Sequence, residues 1–223
     1  LDNIKQEIEN IKSNKDFSIP ISNYTNVIGS LKPITYYDLG NDIIIENLMN
    51  WRNNNINAYL SHEKATFEGT RRWLAKFVLD NPNKFLFIVY TEGHKPIGHM
   101  GLADGLETNI FIEMDNIVRG VNAEVKGIMS IALYDLISWV FVLSGCSKVY
   151  LRVFSDNDRA IRMYKRLMFV EKEKYALEKI NTSGIVKYEI IENAKASNKY
   201  FSYMELNKCD HYGNYKKFKN WEI

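Results

Sequence analysis

Apolar and polar positions follow two periods along this chain, and the change between them divides it. In the first eighty residues the apolar positions recur at helical spacing. Ile4, Ile8 and Ile11 mark one face of a polar helix within residues 1 to about 17. A second helix is predicted over 42–51, ending in WRNNN. A third spans 68–79, with Trp73, Phe77 and Val78 as its apolar face and NPN (81–83) as its stop. Between the first two helices, 17–30 is polar with scattered Ile and Val and reads as a linker or docking arm, followed by a strand over 32–37.

From residue 84 the period shortens. KFLFIVY (84–90), IGHMGLA (97–103) and TNIFIEMDNIVRG (108–120) are β-rich runs, and the turn EGHKP (92–96) joins the first two, so a meander of antiparallel strands is predicted. GIMSIALYDLISWVFVLSG (127–145) is apolar nearly all round, which marks a buried helix ended by Gly145. KVYLRVF (148–154) is a strand, a helix follows from Asn157, and β segments at about 169–191 and 199–207 complete the pattern. This order predicts an α/β (α+β) fold: a mixed, mostly antiparallel central sheet with helices on both faces. The domain boundaries read as 1–30 for an N-terminal extension, 31–207 for the domain and 208–223 for a tail.

Composition narrows the chemistry. Hydrophobic residues make up 46% of the 223, enough for a core, and the net charge of +2 gives no general pull toward nucleic acid or membrane. Cys146 and Cys209 stand far apart, with no Cys-x-x-Cys or His/Cys cluster. That excludes a disulfide framework, argues against a metal site, and fits a reducing, cytoplasmic setting. The charged start has no signal-peptide character, and the chain begins on Leu1, as a piece of a longer polypeptide would. The C-terminal KCDHYGNYKKFKNWEI mixes basic and aromatic residues but is too short for a nucleic-acid module and reads as a tail. An exposed N-terminal helix leaves room for a homodimer.

The chemistry-bearing residues sit around two helix starts. The turn NAEVKGIMS places Gly127 and Lys126 where a helix begins, and a helix N-terminus favours phosphate. In SDNDRAIRMYKRLMF, Asn157 is an N-cap, and Ala160 and Tyr164 share its face. Taken alone, Tyr164 reads as a core tyrosine.

Together the two units resemble the GNAT superfamily of N-acetyltransferases, whose second helix bears Asn-x-x-Ala/Ser-x-x-x-Tyr, as Asn157, Ala160 and Tyr164 do here. The resemblance spans roughly residues 32–207 and implies the fold, acetyl-CoA as co-substrate and no metal. It implies that Asn157 and Ala160 meet the pantetheine arm and that Tyr164 protonates the leaving thiolate. Ile117, Val118 and Arg119 on the strand would hold the thioester end. Val125, Lys126, Gly127, Ile128 and Met129 would hold the phosphates. The family loop Arg/Gln-x-x-Gly-x-Gly/Ala has Glu124, Gly127 and Met129 in its places here, and the usual Gly-Phe after the tyrosine is Met168-Phe169.

WRN (51–53), INAYL (56–60) and FEGTRRWL (67–74) further resemble members that acetylate amino sugars on nucleotide carriers in surface-glycan synthesis, and also ribosomal-protein acetyltransferase relatives. The expected acceptor is therefore the amine of a nucleotide-linked amino sugar, with a protein or peptide amine, or a non-catalytic binding module, as alternatives. Glu113, His99 and Asp115 are the candidate bases, each also readable as a solvated strand residue. Arg52 and Arg72 are candidate contacts to acceptor phosphates, because a guanidinium binds two oxygens at once. Trp51 and Trp73 read as core rather than as sugar platforms.

Overall fold

The structure, a computed structural model, describes residues 2–23, 25–105, 111–191 and 197–213. The side chain of Ile4, the first residues of the strand expected from 108, and the tail from 214 onward lie outside the described residues.

One sheet of nine strands organises the chain: β1 (Ile19–Ser22), β2 (Val27–Pro33), β3 (Phe85–Thr91), β4 (Pro96–Ala103), β5 (Phe111–Arg119), β6 (Lys148–Phe154), β7 (Val170–Thr182), β8 (Ile185–Ile190) and β9 (Tyr200–Asn207). Their spatial order is β1-β2-β3-β4-β5-β6-β9-β7-β8. Every pairing is antiparallel except β5 with β6, which a helical crossover must join. That crossover is α4 (Ile128–Ser144), whose apolar circumference is buried almost throughout and packs toward β1 and β2. Left-handed glycines, Gly127 (φ 77°) and Gly145 (φ 67°), close it at both ends.

The other helices are α1 (Asp2–Lys12), α2 (Asp42–Asn54), α3 (Phe67–Trp73), α5 (Asp158–Arg166) and α6 (Lys208–Gly213). α1, α4 and α5 contribute to the larger core, with Phe87, Met100, Leu133 and Phe141 among its members. α2 and the α3 region cover Leu86, Ile88 and Val118 on the opposite face. Helices thus flank both faces, as the sequence pattern predicts.

Three expectations need correction. Segment 17–30 is not an arm: it supplies β1 and most of β2, which pair from Ile19↔Leu31 to Ser22↔Val27. The strand expected over 32–37 therefore ends at Pro33, and 36–40 turn as a 3-10 segment. Helix α3 passes into a π-helical turn at Leu74–Leu79, and the extra residue per turn rotates its faces. Of the expected face Val78 is buried, joined by Leu74 and Leu79, while Trp73 is half-buried and Phe77 is 58% exposed.

The N-terminal helix docks on the domain. Ile8 and Ile11 are buried, and Lys12 reaches the end of the π turn, donating to the carbonyls of Val78 (3.1 Å), Leu79 (2.9 Å) and Asn81 (2.6 Å). A cation there satisfies carbonyls that a helix C-terminus leaves open. Burial lowers the Lys12 pKa, against the opposing pull of Glu9 and Asp80.

Candidate active site

Strands β5 and β6 stay in register for three rungs, Phe111↔Lys148, Ile112↔Val149 and Glu113↔Tyr150, and then part. Beyond the last rung lies a cavity of about 370 Å³, lined by Asp115, Asn116, Ile117, Arg152, Phe154 and Tyr164 among others. The gap coincides with an irregularity on the other edge of β5. His99 pairs with Val118 and Gly101 with Asp115, so two β5 residues, Asn116 and Ile117, face Met100 alone. Asn116 takes a left-handed conformation, φ 52°. A bulge of this kind takes backbone groups out of the ladder. Of the two expected amide donors, Ile117 lies in the interruption and Val118 in the ladder.

A second cavity, about 1,070 Å³, runs from this gap between residues 117–130 and α5. All ten residues expected to hold the co-substrate line it: Ile117, Val118, Arg119, Val125, Lys126, Gly127, Ile128, Met129, Asn157 and Ala160. The amides of Ser130 and Ile131 turn back onto the Gly127 carbonyl (2.8 and 3.1 Å), so the amides just before them carry the open N-terminal end of α4. Asn157 caps α5: its Oδ1 accepts from the Ala160 amide at 3.2 Å. That fixes the side-chain amide and leaves its nitrogen for a ligand.

Tyr164 lines both cavities and is 6% exposed. Burial, and then the charge of Asp115, push its phenol far above the ordinary value, so it keeps its proton at any working pH. Two residues after α5, Met168 sits at φ 71°, a left-handed backbone that favours glycine, where the family pattern has one.

Sequence reasoning missed two cations of the larger cavity. Arg159 and Arg162 project from α5 into the larger cavity, facing Arg119 and Lys126. Among the described residues none of these four makes an ion pair. Partial burial and the nearby charge of Arg159 lower the Arg119 pKa, which reports unneutralised cations in proximity. The signal was legible: Arg159 and Arg162 are three apart, and so share a helix face.

The three candidate bases differ sharply. Glu113 is 4% exposed and holds Arg152 at both oxygens, Nε to Oε1 at 2.7 Å and Nη2 to Oε2 at 2.9 Å. Burial raises its pKa, with Arg152 pulling the other way. A carboxylate engaged at both oxygens orients its partner more readily than it accepts a proton. His99 is 3% exposed and stacks on Trp51 at 6.0 Å. Burial lowers its pKa to about 4, outweighing its hydrogen bond to the Asn116 backbone, and Nδ1 has no hydrogen-bond partner among the described residues. Asp115 is the open one: its side chain is 36% exposed, accepts from Asn116 Nδ2 at 2.7 Å, and meets Lys84 only at 3.9 Å.

His99 therefore carries a stability signature. Its folded pKa lies below the ordinary 6.5, so from about pH 6.5 down to 4 the unfolded chain gains a proton that the fold refuses. Stability is complete above that window and falls through it, by about 3 kcal/mol from this group. Denaturant titrations at pH 7 and pH 4.5 should show the loss, and His99→Leu should reduce the slope; an unchanged slope would mean that His99 already takes a proton in the fold.

Arg52 and Arg72 line a third cavity, about 450 Å³, that also holds Lys64, His99 and Asn116. Arg52 and Tyr59 border both this side pocket and the gap between β5 and β6, where the family resemblance would place the thioester. The Arg52 guanidinium lies 4.0 Å over the Tyr59 ring and donates to the Ser61 carbonyl at 3.0 Å, whereas Arg72 is exposed. Trp51 is core, and Trp73 is half-buried at the pocket wall.

Residues 60–62 form a roof. The His62 amide donates to Val186 and the Tyr188 amide to Leu60, both at 2.8 Å, so the β7–β8 hairpin is laced to the α2–α3 connection across the gap. Among the described residues no group of His, Cys, Asp and Glu could hold a metal ion, and no helix is long and apolar enough to cross a membrane.

Comparison with known proteins agrees with this geometry. Residues 45–169 match the acetyltransferase (GNAT) family. No curated protein matches the chain. Among solved structures, spermidine N-acetyltransferase from Vibrio cholerae, in complex with CoA and spermine, aligns with TM-score 0.63 at 18% identity, over 84% of this chain and 99% of its own. The apo form of FdhC, a nucleotide-linked sugar GNAT, aligns at 0.59 and 14%, over 92% and 97%. A probable GNAT-family acetyltransferase from Chromobacterium violaceum aligns at 0.64 and 13%, over 87% and 89%. At such identities the likeness is one of fold.

Proposed function

The chain belongs to the acetyltransferase (GNAT) family and is an N-acetyltransferase using acetyl-CoA, and from that premise we propose that its acceptor is the amine of a nucleotide-linked amino sugar. The observation that carries this reading is the cleft beyond the thioester gap, which is roofed and not acidic. The lacing of residues 60–62 to β8 leaves room for a small molecule and little for a folded protein surface. Arg52, Lys64, Arg72 and Arg152 line the gap and side pocket against Glu63, Glu113 and Asp115, and Glu113 is neutralised by Arg152. A polyamine would call for uncompensated carboxylates; an acceptor bearing phosphate suits this balance. Arg72, with Lys64, is the open cation pair of the side pocket, since Arg52 is committed to Ser61 and Tyr59.

In this reading the amine attacks the thioester carbonyl directly. The Ile117 amide, freed by the bulge, polarises the carbonyl oxygen. As the C–N bond forms, Asp115 takes the ammonium proton, through a water where the reach requires one. As the C–S bond breaks, Tyr164 gives its proton to the sulfur and recovers one from solvent.

A thiol-release assay with acetyl-CoA, run across UDP- and dTDP-linked amino sugars, spermidine and short peptides, tests the acceptor. Turnover on a nucleotide sugar, with the polyamine and peptides much slower, is the expected result. Preference for spermidine or a peptide would overturn it.

A further inference from the structure

A second groove adjoins the cleft, and the reaction does not use it. Alongside the paired rungs of β5 and β6, toward the start of β5, about 580 Å³ is lined by Tyr150, Tyr175, Tyr203, Phe111, Arg152 and Asp104. It shares Arg152 with the thioester gap, so the two adjoin at that side chain. Four aromatic rings face one small opening. Tyr150 and Tyr203 lie 5.2 Å apart with planes tilted by 32°, and Tyr175 stands edge-on to Tyr203 at 6.4 Å. Two of them are fixed: the Tyr175 hydroxyl donates to Glu173 at 2.7 Å and that of Tyr203 to Glu205 at 3.2 Å. The tyrosines are only half-buried and Phe111 is 40% exposed, so ring faces are left open. Rigid, partly exposed aromatic surface beside a reaction cavity marks a ligand site.

We propose that this tyrosine groove binds the nucleobase of the acceptor, with Arg152 taking the phosphates between the base and the amino sugar. The inference rests on the nucleotide-sugar reading above and adds the direction in which the nucleotide lies. The order of groups matches that of the ligand. Rings stack a planar base, the Asp104 carboxylate at the lip accepts from ribose hydroxyls, and Arg152 follows. Glu113 holds Nε and Nη2 of Arg152, leaving Nη1 as the nitrogen that faces a ligand, on a side chain 38% exposed. The sugar amine then reaches the gap beside Asp115. The side pocket, with Arg72 and Lys64 but half-buried Trp73 and stacked His99 for rings, offers charge without an open aromatic platform.

The test is calorimetric binding of UDP, dTDP and inorganic pyrophosphate to the full chain with its co-substrate cavity saturated by CoA. Wild type should bind at least one nucleoside diphosphate more tightly than pyrophosphate. Tyr203→Leu and Tyr175→Leu should each weaken it about tenfold, the scale of one lost base–ring stack, a larger loss than Arg72→Ala causes. Two tyrosine variants guard against misfolding of one, and CoA affinity checks each fold. Nucleotide binding that survives both tyrosine changes but is lost in Arg72→Ala places the nucleotide in the side pocket, overturning this inference while keeping the nucleotide-sugar reading. A wild-type protein that binds CoA but neither nucleotide removes that reading, and this inference with it.

Discussion

Replacing Tyr164 by Phe should lower kcat about a hundredfold, the lower end of what a positioned general acid contributes, and leave the KM for acetyl-CoA nearly unchanged. The substitution removes one oxygen from a ring packed near Phe169 in the core, so the fold and both cavities keep their shape. What is lost is a phenol that, alone among the tyrosines of the described residues, lines both the larger cavity and the gap between β5 and β6. Its raised pKa means that the phenol enters the reaction protonated through the working pH range. Steady-state kinetics on the preferred acceptor decides it. A kcat within a few-fold of wild type would return Tyr164 to its plain reading as a core tyrosine and leave solvent to protonate the thiolate.

The double substitution of Arg159 and Arg162 by Ala should raise the KM for acetyl-CoA about a hundredfold and spare kcat. A hydrogen bond to a charged group contributes about 1.5–3 kcal/mol, and exposure on α5 reduces that to about tenfold in affinity for each arginine. Such binding is felt equally in ground and transition states, so it appears in KM. The loss should shrink at high salt, where wild-type affinity also falls. These arginines matter because the loop ahead of α4 carries the acidic Glu124 where the family pattern has Arg or Gln. In the proposed binding mode the open amides near Gly127 would supply direction and α5 would supply charge. An unchanged KM would mean that the amides and Lys126 suffice.

Much of this was legible along the chain. Asn157, Ala160 and Tyr164 lie within two turns of one helix, so their shared face follows from spacing alone. The same holds for the β-rich runs of β3 and β4, the buried character of α4 and its end at Gly145. Local order determines these features, and the family resemblance rested on them. Arg159 and Arg162 obeyed the same rule and were passed over.

Other features needed partners far away. β1 is four residues long and contains Pro20; it exists as a strand because Leu31 and Ser30 stand opposite it. Phe77 is exposed because α3 changes its winding, which no apolar period announces. The ranking of the three bases could not be read either. Arg152 is 39 residues from Glu113 in sequence and two hydrogen bonds from it in space. His99 is neutral because Trp51 and the sheet around it exclude water, while Asp115 stays open because it points into the parted strands.

By itself, then, the sequence determined most of the succession of elements, the family and the helix that carries the family's motif, since these depend on residues within a few turns of one another. The tertiary structure alone decided which carboxylate is free, which arginines face open space, where the roof lies and where the tyrosines of β6, β7 and β9 come together. Those properties depend on burial and on pairing across the sheet, and neither is set until strands distant in sequence lie side by side.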